Sequence, residues 1–168
     1  MEELTYNNKP VLDACCGSKM FWFNKHDERA VFCDRREVPY HEFYKNQYIE
    51  IAPDFLCDFR RLPFADESFW HIIFDPPHVQ GLSSKSWTAL KYGSLDATWQ
   101  DMLHDGFLEC WRVLKPHGTL IFKWSEVQIK LAELLKVIPK KPLYGNRSGK
   151  YMTTHWLAFI KEGDEGNV

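Results

Sequence analysis

The sequence predicts an α/β fold: a mostly parallel sheet crossed by helices and finished by a C-terminal antiparallel hairpin strand. Three observations predict it. Short apolar runs, each closed by a polar or turn residue, recur along the chain. A long stretch with helical spacing separates the later runs. The final run, Trp156-Leu157-Ala158-Phe159-Ile160, follows a glycine-rich turn (Gly145, Asn146, Gly149) instead of a helix, as a hairpin strand does. The chain has 168 residues, 45% of them hydrophobic, which is enough for one domain with a core and too short for two. Residues 1–9 and 162–168 read as flexible ends.

In chain order, buried strands are expected over residues 10–16, 30–35, 54–59, 71–75 and 119–124. Leu95, Trp99, Met102, Leu103, Gly106, Cys110, Val113 and Leu114 recur at helical spacing, and Pro116-His117-Gly118 stops the pattern. That is a crossover helix. Ser125-Glu126-Val127-Gln128 fits a capping box for a second one, whose inner face is Ile129, Ala132, Leu135 and Ile138 before Pro139. Residues 37–51 are rich in aromatic and charged side chains without a helical stripe, so an irregular segment or very short helix is expected there. Strands alternating with helices require right-handed crossovers, which makes the layout Rossmann-like.

The net charge is −2, so contact with nucleic acid has to be local. The five cysteines, Cys15, Cys16, Cys33, Cys57 and Cys110, are odd in number and lack zinc-site spacing, as expected for reduced thiols of a cytoplasmic protein. No apolar run reaches membrane-spanning length, and the amino terminus lacks the apolar stretch of a signal peptide. A soluble protein without membrane contact is expected. The seven histidines do not cluster at ligand spacing, so no metal is expected.

Ile72-Ile73-Phe74 is a buried-strand run ended by Asp75-Pro76-Pro77-His78, since the prolines can neither donate to a ladder nor continue a helix. Asp75 therefore stands at a strand's carboxyl end, where ligands collect in open α/β sheets. The first strand leads into Asp13-Ala14-Cys15-Cys16-Gly17-Ser18-Lys19, with one glycine where a dinucleotide site would need three. A pyrophosphate cradle is not expected. Asp34 follows Asp13 by 21 positions, the spacing of an acid that reaches a ribose diol. Asp58 can accept from an exocyclic amine while Phe59 packs on the base. These acids at successive strand ends point to one adenosine, although each alone would more often be a helix cap.

On these residues the chain resembles the class I S-adenosylmethionine-dependent methyltransferases from residue 10 to about residue 160. The resemblance implies that fold, S-adenosyl-L-methionine as cofactor, and a binding set of Asp13, Cys15, Gly17, Lys19, Asp34, Asp58 and Phe59. Lys19 stands where the family often has a further glycine, and Cys15-Cys16 are larger than usual beside the cofactor's methionine end. Asp75-Pro76-Pro77-His78 is similar to the [D/N/S]-P-P-[Y/F/W] motif of the enzymes that methylate adenine N6 or cytosine N4, with His78 as its departure. The resemblance implies that Asp75, Pro76, Pro77 and His78 are catalytic, and that DNA or RNA is the substrate.

An aromatic amine is a poor nucleophile because its lone pair is conjugated. A carboxylate and a rigid backbone carbonyl can accept both of its hydrogens and stabilise the charge that grows during transfer. The loop at residues 79–94 carries Trp87, Lys91 and Tyr92, a basic and aromatic set suited to a flipped or single-stranded nucleotide. Trp87, Tyr92 and Lys123 are the expected substrate contacts. Lys123 also invites a rival reading, because ribose 2′-O-methyltransferases pair a lysine there with an acid at the Asp75 position. A small-molecule methyltransferase and a non-catalytic cofactor-binding module also remain open. Too little chain is left for a dedicated recognition domain, so a partner subunit or homodimer is a further expectation.

Overall fold

The structure is a computed structural model that describes residues 9–83 and 86–163. Seven strands form one sheet: β1 (Val11–Asp13), β2 (Ala30–Asp34), β5 (Phe55–Leu56), β6 (Phe69–Phe74), β7 (Leu114–Ser125), β8 (Tyr144–Ser148) and β9 (Thr154–Ile160). Their order is β5-β2-β1-β6-β7-β9-β8. Pairing is parallel from β5 to β7 and antiparallel from β7 through β9 to β8. This is a Rossmann-like sheet. All five residues of β2 are buried, as expected of a parallel strand covered on both faces.

The strand order reverses between β1 and β6, and such a switch point opens a crevice at the carboxyl ends. Asp13 pairs with Ile73 and the Ala14 amide donates to the Ile73 carbonyl at 3.0 Å, so the Asp13 turn and Asp75 emerge side by side. Below them lies the core. Helix α2 (Trp99–Val113) buries Met102, Leu103, Phe107, Cys110 and Val113 among Phe74, Phe122 and Phe159. Edge contacts at Phe74–Phe122 (5.0 Å) and Phe107–Phe159 (5.1 Å) lock those rings.

Several expectations are corrected. Residues 37–51 form an antiparallel pair, β3 (Val38–Tyr44) and β4 (Gln47–Ile51), separate from the main sheet. Only Ile49 and Ile51 of β4 are buried, so the pair has one apolar edge, and Tyr40, Phe43 and Tyr48 stay outside, which hid the strand alternation. The first strand is three residues long and the strand expected at 54–59 only two, because Ala14 and Cys57 already belong to the turns. Leu95 lies ahead of α2, bridged to Gln80. The helix ends at Val113 and Leu114 enters β7 directly, while residues 115–118 form an irregularity in the ladder, with His117 at φ 63°.

The expected capping box is also absent. Ser125 closes β7, and helix α3 spans only Leu131–Val137, capped at Lys130 without a side-chain bond. The Gln128 side chain accepts from the Gln80 amide at 2.7 Å, and Glu126 accepts from the Leu131 amide at 3.2 Å. Gly145 and Asn146 lie within β8, and the tight turn follows at residues 149–153. The loop at 79–94 contains a helix, α1 (Trp87–Tyr92), capped by Ser86. Ser84 and Lys85, residues 1–8 and residues 164–168 lie outside the described residues.

No described helix is long and apolar enough to cross a membrane.

Candidate active site

At the carboxyl end of β1 the chain turns sharply. Gly17 takes a φ of 49°, open to glycine, and its amide donates to Asp34 Oδ2 at 2.8 Å. Lys19, at the position where the resemblance would put a further glycine, repeats the left-handed backbone at φ 53°. Its ammonium lies 3.9 Å from the Phe32 ring centroid.

Asp13 is wholly buried. The Trp22 indole donates to its Oδ2 at 2.8 Å, and burial nevertheless pushes the carboxyl up to about 7, with the charges of Asp75 and Asp34 adding to the rise. Cys15 lies amid the same three carboxylates, and its thiol is held well above the ordinary range, first by burial. The Cys15 amide donates to Asp13 Oδ1 at 3.4 Å, and Cys15 lines a cavity with Asp34 and Asp75.

Asp75 follows β6. Lys123, in the neighbouring strand β7, donates to Asp75 Oδ2 at 2.5 Å. Burial raises the Asp75 carboxyl and Lys123 opposes the rise. Lys123 also lies 5.6 Å from the ring centroids of Phe21 and Trp156. The His78 ring sits 6.2 Å from Tyr92 and 6.3 Å from Trp124, and burial lowers its proton affinity against the pull of Asp75.

A cavity of about 50 Å³ brings Cys15, Gly17, Asp75, Pro76, His78, Tyr92 and Lys123 to one surface, with Met20, Phe21 and Arg36. An adjoining cavity of about 20 Å³ is lined by Asp34, Phe59 and Pro77 together with Cys15, Asp75 and Tyr92. Both are small because Arg36 and α1 fill the crevice. Arg36 forks onto Asp34 (Nε to Oδ1 3.0 Å, Nη2 to Oδ2 3.2 Å), and its Nη1 donates to the Leu90 carbonyl at 2.9 Å. Gly93 ends α1 at φ 76°, and a Cβ there would meet Pro77 Cγ at 2.8 Å, so only glycine lets the helix end rest on the motif.

Four expected site residues lie apart from these cavities. Asp13 is wholly buried with its carboxylate on the Trp22 indole, Asp58 is engaged by Arg60 at 2.7 Å, Lys19 lines an open cleft of about 580 Å³ that adjoins the larger cavity at Gly17 and Met20, and Trp87 packs on Phe43 of β3 at 4.9 Å. Phe59 reaches the smaller cavity from the core, edge-on to Phe74 at 5.2 Å. The sequence reading missed Arg36, Met20 and Phe21, which line the larger cavity. A signal for Arg36 existed: Asp27-x-Arg29, Asp34-x-Arg36 and Asp58-x-Arg60 share one spacing. In each, the arginine amide and Nε both bond to the carboxylate two residues back.

No protein-family model and no curated protein matches the sequence. Among solved structures, the chain is similar to the PH0226 protein from Pyrococcus horikoshii OT3. The TM-score is 0.51 at 17% identity, over 91% of this chain and 81% of that one. At that identity the likeness concerns the fold, and it identifies the arrangement as a Rossmann-like α/β sheet shared over nearly its whole length.

Proposed function

We propose that the chain is an S-adenosylmethionine-dependent methyltransferase that acts on an exocyclic amine of a nucleic-acid base, adenine N6 or cytosine N4. The observation that carries this reading is the shared cavity of the Cys15–Gly17 turn with Asp75, Pro76 and His78. The donor set suits a cationic ligand with a ribose, because Asp34 and Asp75 line one cavity. In volume the crevice is well short of the roughly 300 Å³ or more of a small-molecule site, so Arg36 and α1 have to move first.

When bound, the cofactor supplies an electrophilic methyl group. Gly17 and Asp34 would hold its nucleoside end, with the ribose hydroxyls taking over the Asp34 oxygens from Arg36. Asp75 Oδ1, left free by Lys123, accepts one amine hydrogen, and the Pro76 carbonyl is rigid enough to accept the other. His78, kept neutral by burial, offers a lone pair or a ring face to the base.

One observation favours a second reading. The Lys123 to Asp75 bond of 2.5 Å is the pairing a hydroxyl acceptor would use, with the lysine stabilising the developing alkoxide. Radiolabelled methyl transfer onto DNA, RNA and nucleotide pools, followed by digestion, separates the two. Label on adenine or cytosine amines supports the first reading, 2′-O-methylribose supports the second, and no labelled nucleoside at all overturns both.

A further inference from the structure

The C-terminal hairpin differs in charge from the rest of the chain. Between Leu134 and Lys161 there are six Lys and Arg and no Asp or Glu, whereas the remainder has fifteen against twenty-three. One sixth of the sequence therefore carries +6 within a chain of net charge −2. Lys140, Lys141, Arg147 and Lys150 are all exposed, and none is in an ion pair among the described residues.

The topology brings two of these six, Arg147 and Lys150, to the edge of the candidate site, while Lys161 bonds to Leu114 at the other end of β7. Ser125, the last residue of β7, pairs with Thr154, which pairs in turn with Ser148. The turn at residues 149–153 therefore projects beyond the carboxyl edge of the sheet, the edge at which Asp75 stands. Trp156 joins the two regions: it pairs with Lys123, donates to Ser148 Oγ at 3.0 Å and meets Phe21 edge-on at 5.8 Å. At the tip, the Tyr151 ring is 76% exposed, with the Lys150 ammonium 5.3 Å from its centroid.

We infer that the β8–β9 hairpin grips the single strand of nucleic acid that carries the acceptor base, with Arg147 and Lys150 on phosphates and Tyr151 stacked on a flanking base. The inference rests on the methyltransferase reading and deepens it. Strands without sequence preference are held by phosphate attraction plus base stacking, and cations beside an exposed ring at the mouth of a site supply both. A duplex hides its base faces from such a ring. A membrane surface would need a broader apolar face than Tyr151 and Met152 provide.

The test is fluorescence anisotropy of short dye-labelled single-stranded RNA and DNA titrated with the full chain over a range of salt. Arg147→Glu/Lys150→Glu is expected to weaken binding at least about tenfold and to flatten the salt dependence by about 1.4 log units per log unit, the share of two phosphate contacts. Tyr151→Ala is expected to lose about tenfold through stacking. Arg29→Glu/Lys115→Glu, both at the opposite edge of the sheet, matches the change in net charge and is expected to bind as the wild type does. The inference is overturned if Arg147→Glu/Lys150→Glu binds like this control. It is equally overturned if the wild type ignores single strands and sediments instead with phosphatidylserine vesicles. Calorimetry with S-adenosylmethionine on the same proteins keeps the two readings apart. Absent cofactor binding in the wild type removes the methyltransferase reading, and the anisotropy still decides the hairpin.

Discussion

Lys123 holds Asp75 across two adjacent parallel strands: Nζ lies 2.5 Å from Oδ2, one step beyond the register pair Phe74 and Phe122. The bond leaves one carboxylate oxygen free and lowers a carboxyl that burial raises. Asp75→Ala is expected to cut methyl transfer by roughly 10²–10³-fold, the usual cost of one oriented polar group at a reacting centre. Cofactor affinity by calorimetry should stay within about threefold of wild type, as expected for a group that orients the acceptor. Lys123→Met distinguishes the acceptors. With an amine acceptor activity persists, but its acid limb moves to higher pH, because the variant lacks the cation that held the Asp75 carboxyl down. With a hydroxyl acceptor activity is lost at every pH.

Arg36 ties the carboxylate of Asp34 to the carbonyl of Leu90 and so latches α1 over the crevice. Arg36→Ala is expected to speed amide exchange in residues 87–92 by at least tenfold, about the effect of losing one charge-assisted hydrogen bond. Exchange followed by mass spectrometry reads this directly. Unchanged exchange would mean that α1 is held by its contact with Pro77 instead.

Asp13 links stability to pH. Its carboxyl is raised to about 7 in the folded chain, so the unfolded chain loses this proton at lower pH than the folded one does. The stability it contributes is complete below about pH 4, the ordinary carboxylate range, and is lost as pH rises through 7. The full difference is on the order of 4 kcal/mol. Urea denaturation at pH 5 and pH 8 should show the wild type weaker at pH 8, with the loss much reduced in Asp13→Asn.

Gly106 faces Phe59 across the core: a Cβ there would lie 2.4 Å from the ring, which is itself held edge-on by Phe74. Alanine normally stabilises a helix by up to about 1 kcal/mol over glycine. Here the overlap with a packed ring should win, and Gly106→Ala is expected to destabilise by about 1–2 kcal/mol in denaturant melts.

Much of the fold was legible in the sequence. The apolar runs ending in Asp13, Asp34 and Asp75 read as buried strands from their short length and the turn residues that close them, and the stripe from Trp99 to Val113 reads as a helix from its spacing. Residues 37–51 were hard to read because exposed aromatic residues such as Tyr40 and Tyr48 mask the short alternation of Ile49, Glu50 and Ile51. The Ser125 to Gln128 pattern misled because Gln128 bonds to Gln80, 48 residues away, and no local rule foresees that partner.

By itself, then, the sequence determined which residues end the strands and which acids stand there, since turn chemistry and apolar runs act over a few neighbours. Tertiary structure alone decided that Asp75 is partnered by Lys123, 48 residues away, and Asp13 by Trp22, whereas Asp34 and Asp58 take the arginine two residues on. It also decided that α1 closes the crevice and that the basic hairpin turns toward it. Pairing of that kind depends on strand order and on the exclusion of water from the crevice, and both exist only once distant segments have packed.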